Sequence, residues 1–305
     1  VKLAHLWVPG LGTRLGVLDN GSVVDITAPD QGIASTNDLF AEAARRKASP
    51  GALAAELLHA APQAARYPLV ELAHAEPARP HLVMPLHPAE VWACGVTYRK
   101  SAEFRDEEIQ AAAASPRGMY DYVYSAPRPE IFFKGTASRC VGPYEPICIR
   151  SDSTFTAPEP ELALVLGEGA QIVGYTLAND VSAWDIEREN PLYLPQSKIF
   201  RGCCSFGPVI VAADSSFNPL DVTIRCCIER AGRVVFEGEA STARIKRSFD
   251  ELIEYLTRDN PIPAPTLLLT GTGIIVPPEW ALKPGDIVII EADGIGRIAN
   301  PVIQL

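Results

Sequence analysis

The chain has 305 residues, 47% of them hydrophobic and 21% charged, with a formal net charge of −10. That composition describes a globular protein with ample core, as one large domain or two unequal ones, and sets disorder aside. With no basic run longer than Arg45-Arg46-Lys47, it excludes a non-specific nucleic-acid or anionic-membrane partner and leaves room for a small carboxylate substrate.

The first 35 residues read as short strands (LAHLWV, TRLGVLD, SVVDIT), with Asp19-Asn20-Gly21-Ser22 as a hairpin turn. A helix is expected over Asn37 to Lys47, capped by Asn37 or Asp38, and GALAAELLHAA predicts a second one. Residues 62–90 are Pro-rich and lack periodicity. They read as a linker closing a small N-terminal α+β unit, residues 1–87, ahead of a body over residues 88–305.

The body opens with a strand, VWACGV. A helix from Ser101 follows, with Phe104 and Ile109 on its apolar side, then an aromatic irregular stretch, MYDYVYSAPRPE. A charged helix beside an aromatic loop suits a lid; an ordinary surface excursion reads equally well. EIFFKG predicts a strand placing Glu130 and Lys134 on the face of Phe132. Further on come a buried strand after RGCCSFG, a hairpin at Ala231-Gly232 and an amphipathic helix SFDELIEYLT with a Ser248/Glu251 capping box. LLLTGTGIIV has amides and hydroxyls able to hold an anion, and two closing strands end the chain. Strands without alternating helices argue against a doubly wound parallel sheet and for an α+β body.

The residues most suggestive of chemistry lie between Thr156 and Lys198. Glu159 and Glu161 are two apart at the head of an apolar run, so a strand puts both on one face. A second apolar run delivers Asp180. Three carboxylates on strands describe an oxygen-only site for a hard cation, Mg²⁺ or Mn²⁺; solvated strand-edge acids are the plainer alternative. Asp180 lies within an otherwise apolar stretch, where an acid needs a partner, and Lys198 is at hand as a fourth functional group. The five histidines all precede residue 88, so acid–base work near the cluster falls to Glu, Asp, Lys, Tyr or water. The seven cysteines, odd in number and without a C-x-x-C, read as reduced, mostly buried thiols of a cytoplasmic protein. No transmembrane run and no signal peptide are read.

The segments PEPELALVLG and GYTLANDVSAWD resemble the fumarylacetoacetate hydrolase family, in which a Glu-x-Glu pair and a later Asp hold Mg²⁺ or a similar ion. LLLTGTGIIVPP, LKPGDIVIIEADGIGRIANPV and GVTYRKS match its other motifs. The resemblance covers about residues 88–305. It implies a mixed β-roll fold, 2-oxo acid substrates, a bound Mg²⁺ (with Mn²⁺ or Ca²⁺ as substitutes) on Glu159, Glu161 and Asp180, and a homodimer or homotetramer. Ser101 stands where the C–C bond hydrolases carry a water-activating His. PEIFFKG and NPLYLPQSKIFRG resemble instead the sub-branch that dehydrates 2-keto-3-deoxy-D-arabinonate or related D-pentonates, in which Glu130 and Lys198 would be the acid–base pair. Lys198 as base and Glu130 as acid is one assignment; the reverse is the other. Thr272 is implied as the holder of the substrate carboxylate, and Gln196, Tyr98, Lys134 and Ser101 are lesser substrate contacts. An acylpyruvate-type C–C hydrolase and a non-catalytic sugar-acid binder are the alternatives.

Overall fold

The computed structural model describes residues 1–99, 119–214 and 216–305. Its centre is the strand Pro160–Leu166, in which every residue is buried. Such a run has no polar face because both sides are covered. Ile172–Asp180 pairs antiparallel with it on one side and Thr266–Leu269 on the other.

From these the large sheet extends both ways. Its order is Arg66–Pro68, Ser22–Asp25, Gly12–Asp19, Lys2–Val8, Cys204–Ala212, Ile172–Asp180, Pro160–Leu166, Thr266–Leu269, Glu90–Gly95 and Glu130–Gly135. Most neighbours run antiparallel; Thr266–Leu269 and Glu90–Gly95 are parallel. A second sheet, ordered Arg233–Ser241, Thr223–Arg230, Ile287–Ala292, Gly296–Gln304 and Ile147–Ile149, packs against the central strands of the first. One hydrophobic core fills the space between them. Strands dominate and the helices are short, as an α+β chain without strand–helix alternation requires.

Several expectations hold in detail. Asn20 and Gly21 both take positive φ in the turn that pairs Asp19 with Ser22, the geometry that an Asn-Gly turn favours. Ser248 caps the helix Phe249–Thr257, which buries Phe249, Leu252 and Leu256.

Others are corrected. The helix Thr36–Arg46 is capped by Ser35, whose extended backbone lets its hydroxyl accept the Asp38 N–H. Asn37 instead bonds the backbone of His87 through both ends of its amide, and the Asp38 carboxylate accepts from Ala34 N–H. The supposed linker contributes two strands: His81–Val83 pairs with Lys2–Val8, and Arg66–Pro68 pairs with Ser22–Asp25. The aromatic stretch starts with a helix, Met119–Ser125. The helix expected from Ser101, with Phe104, Ile109 and the supposed lid, lies outside the described residues. Among those described, no helix is long and apolar enough to cross a membrane, and all seven cysteines are free, six of them buried.

Candidate active site

The antiparallel register of the two central strands brings the carboxylates together. Pro160 faces Asn179 and Glu161 faces Ala178. Just beyond the strand start, Asp180 N–H donates to Glu159 O at 2.9 Å, and Glu159 N–H donates to Asn179 Oδ1 at 3.0 Å. Glu159 and Glu161 share one face, as the i, i+2 spacing requires, and Asp180 ends the neighbouring strand. Ligand oxygens from all three lie within 4.8 Å of one another, and all three residues are buried.

Two fully buried lysines offset part of this charge. Lys198 closes the short helix Leu194–Lys198, held by the Ser197 hydroxyl donating to Ala183 O. Its Nζ donates to Glu159 Oε1 (2.9 Å), Asp180 Oδ2 (3.1 Å) and Ser182 Oγ (2.7 Å), with the Phe132 ring 5.2 Å away. Lys134 meets Asp180 Oδ1 at 2.5 Å and donates to the backbone carbonyls of Val181 and Lys198. Burial alone would lower the Lys134 pKa; the Asp180 carboxylate overrides it and holds the ammonium above its ordinary range. Lys134, read from the sequence as a lesser substrate contact, is here engaged by Asp180 and two backbone carbonyls. It braces Asp180 and the chain at Lys198.

Glu161 is the strained member. Burial, then the charges of Asp180 and Glu159, push its pKa well above the usual carboxylate range, against the Gly271 N–H and Lys198. Gly271 N–H donates to Glu161 Oε2 at 2.5 Å. Only glycine fits there: φ is +94°, and a Cβ would fall 2.0 Å from Thr97 Oγ1. The same turn places Thr272, buried, with its hydroxyl accepting from Ile274 N–H. Tyr98 packs its ring against Gly273, and burial followed by the Glu161 charge raises its phenol pKa.

Glu130 pairs with Gly95 at the sheet edge and lies over it, its carboxylate where a Gly95 side chain would be. Cys94 senses both acids: burial, then Glu161, then Glu130 raise its thiol pKa well above normal. Glu130 lies on the same strand as Phe132 and Lys134, which reach Lys198 and Asp180. Gln196 is exposed, with its carbonyl on Arg150, so the structure leaves it outside the cluster. Ser101 lies outside the described residues.

Two neighbours were not foreseen. Ser182 accepts from Lys198, and the Trp184 indole N–H donates to Glu159 Oε1 at 2.5 Å. Ser182 stands two residues after Asp180, within reach of the alternation that singled out the glutamates; Trp184 opens the helix Trp184–Glu189, where strand alternation gives no signal. The donor set fits a hard divalent cation: oxygen ligands only, buried, and one carboxylate in excess over the two ammonium groups in contact with the triad.

The comparisons agree with this geometry. A family model described as "Fumarylacetoacetate (FAA) hydrolase C-terminal" matches residues 91–303. The chain is 51% identical over 221 residues to a 2-dehydro-3-deoxy-D-arabinonate dehydratase of Saccharolobus solfataricus, covering 72% of this chain and 74% of that one. It is 40% identical over 289 residues to a probable 2-keto-3-deoxyxylonate dehydratase of Haloferax volcanii, covering 95% of each. A solved 2-keto-3-deoxy-D-arabinonate dehydratase, complexed with magnesium and 2,5-dioxopentanoate, superposes with a TM-score of 0.81 at 37% identity, covering 100% of this chain and 99% of that one. With the family's span running from the strand that ends beside Glu130 to the chain's last strand, Gly296–Gln304, and its acidic residues gathered at one buried point, the chain belongs to the fumarylacetoacetate hydrolase family.

Proposed function

We propose that this protein is a Mg²⁺-dependent dehydratase that converts 2-keto-3-deoxy-D-arabinonate, or a closely related D-pentonate, to 2,5-dioxopentanoate. The observation that carries the reading is the buried Glu159/Glu161/Asp180 cluster crossed by Lys198, in a chain similar to enzymes of that name. Glu159, Glu161 and Asp180 would hold the cation. When bound, it supplies Lewis-acid polarisation of the 2-oxo acid, which makes the C3 hydrogens acidic.

The chain's own residues do the rest. Thr272 and the amides of its turn are the holders of the C1 carboxylate. Lys198 donates to three acceptors, so it enters with its protons in place and suits delivery of a proton to the departing C4 hydroxyl. Glu130, on the strand whose Phe132 lies beside Lys198, then takes the C3 proton. The C4–O bond breaks and one water leaves. Loss of a C5 proton, return of a proton to C3 and ketonisation of the resulting enol give the C5 aldehyde.

The direct test is an NMR incubation of the purified protein with Mg²⁺ and 2-keto-3-deoxy-D-arabinonate. Metal-dependent 2,5-dioxopentanoate that disappears with EDTA supports the reading; pyruvate would replace it with C–C cleavage. The division of roles has its own test in D₂O. Lys198→Met is expected to exchange C3 hydrogens without losing water, whereas Glu130→Gln exchanges none. The opposite pattern reverses the roles.

A homodimer or homotetramer goes with this reading. The exposed Val234, Ile287 and Ile303 on three strands of the second sheet favour it, and light scattering on the eluting protein tests it. Seven free thiols suit a reducing, cytoplasmic compartment.

A further inference from the structure

Two donors converge on one oxygen of Glu159. Trp184 Nε1 lies 2.5 Å and Lys198 Nζ 2.9 Å from Oε1. A carboxylate oxygen has about two lone-pair directions, so this pair commits Oε1 to the protein.

The seat of the indole is rigid. Trp184 is buried and packs edge-on against Phe155, with ring centroids 5.5 Å apart and an interplanar angle of 69°. Its backbone N–H donates to Phe155 O at 2.8 Å. The next residue, Asp185, accepts from the Ser153 hydroxyl and from the N–H and hydroxyl of Thr154. Arg188, one turn on, sits over the outer face of Phe155 at 4.6 Å. The Trp184–Glu189 helix start is thereby clamped to the chain before Glu159, and the indole N–H has one place to point.

We infer that Trp184 determines metal selectivity: by holding Glu159 Oε1 together with Lys198, it makes Glu159 a one-toothed ligand and favours Mg²⁺ over Ca²⁺. Mg²⁺ demands six ligands in tight octahedral geometry and takes carboxylates through single oxygens. Ca²⁺ accepts six to eight ligands and gains from carboxylates that bind through both. Glu161 is restricted in part, one lone pair of its Oε2 accepting the Gly271 N–H. The inference rests on the cation site of the proposed function. Trp184 is a positioning residue, acting through Glu159.

The test is calorimetric titration of the substrate-free protein with Mg²⁺ alone and with Ca²⁺ alone. Trp184→Phe keeps a ring against Phe155 and removes the N–H. Wild type is expected to bind Mg²⁺ at least as tightly as Ca²⁺. In the variant, Mg²⁺ affinity should fall by about tenfold or more, the usual effect of losing a partner behind a metal ligand, while Ca²⁺ loses less, shifting the ratio toward Ca²⁺. A structural role alone would weaken both ions equally, and an unchanged ratio overturns the inference while leaving the cation site standing. A wild type that prefers Ca²⁺ overturns it without recourse to the variant. A wild type that binds neither ion overturns the proposed function and this inference together.

Discussion

Glu130 and Gly95 show how finely the site is set at the level of single residues. A methyl group on Gly95 would lie 2.1 Å from Glu130 Oε2 and 2.5 Å from its carboxyl carbon, so the carboxylate must swing away to admit it. Gly95→Ala is therefore expected to lower kcat by about tenfold or more, the scale on which misplaced acid–base groups cost. The triad does not include Glu130, so Mg²⁺ affinity measured by calorimetry should stay near wild type. Loss of Mg²⁺ binding in this variant would show instead that the strand end had collapsed. Glu159, Glu161 and Asp180 were legible because alternation and an acid in an apolar run are local signals; Lys198 was singled out by its nearness and by the family resemblance. The role of Lys134 was not. Its sequence places it on a face, but only the chain crossing of Val181 and Lys198 shows that its ammonium is spent on Asp180 and two carbonyls.

Among the elements, hairpins and amphipathic helices were readable because their determinants lie within a few residues. The attachment of the N-terminal strands was not. Lys2–Val8 joins the central sheet by pairing with Cys204–Ala212, and His81–Val83 pairs further along that same edge, the other being taken by Gly12–Asp19, contacts for which three residues without periodicity give no warning. One side chain there ties a helix to a strand. His5 is buried on Lys2–Val8, with Nδ1 at 2.9 Å from Met84 O and Nε2 accepting the Thr36 N–H at the start of the helix Thr36–Arg46. Burial, reinforced by His87, lowers its pKa from 6.5 to about 4. A depressed histidine pKa means that the unfolded chain binds the proton first as pH falls, so stability is lost from about pH 6.5 downward and the loss is complete below about pH 4. At pH 5 it amounts to about 2 kcal/mol from this residue, at 1.36 kcal/mol per pKa unit. Urea titrations at pH 7 and pH 5 check it. His5→Gln, which keeps an acceptor and removes the titration, should flatten that pH dependence; an equally steep loss in the variant would place its origin elsewhere.

For the whole molecule, the site is a charge imbalance carried on buried side chains. Three buried carboxylates meet two buried ammonium groups, and the surplus is felt most at Glu161, whose proton affinity is raised by burial and by its two acidic neighbours. A bound dication reverses that sign, which couples loading to folding. At a Mg²⁺ concentration of 100 times Kd, the folded state gains about 2.7 kcal/mol. For a chain of this size that corresponds to a rise in Tm of very roughly 5 °C. Glu161→Gln leaves two carboxylates facing two lysines and keeps an oxygen to accept the Gly271 N–H. The variant is therefore expected to melt higher than wild type when both are stripped with EDTA, to lose most of the Mg²⁺-dependent rise, and to lose turnover. The opposing effects separate function from stability, because a residue kept for folding would lower the metal-free Tm when replaced. A lower Tm for metal-free Glu161→Gln would mean that the carboxylate is better solvated in the folded chain than its burial implies, and an undiminished Mg²⁺ response would remove Glu161 from the cation site.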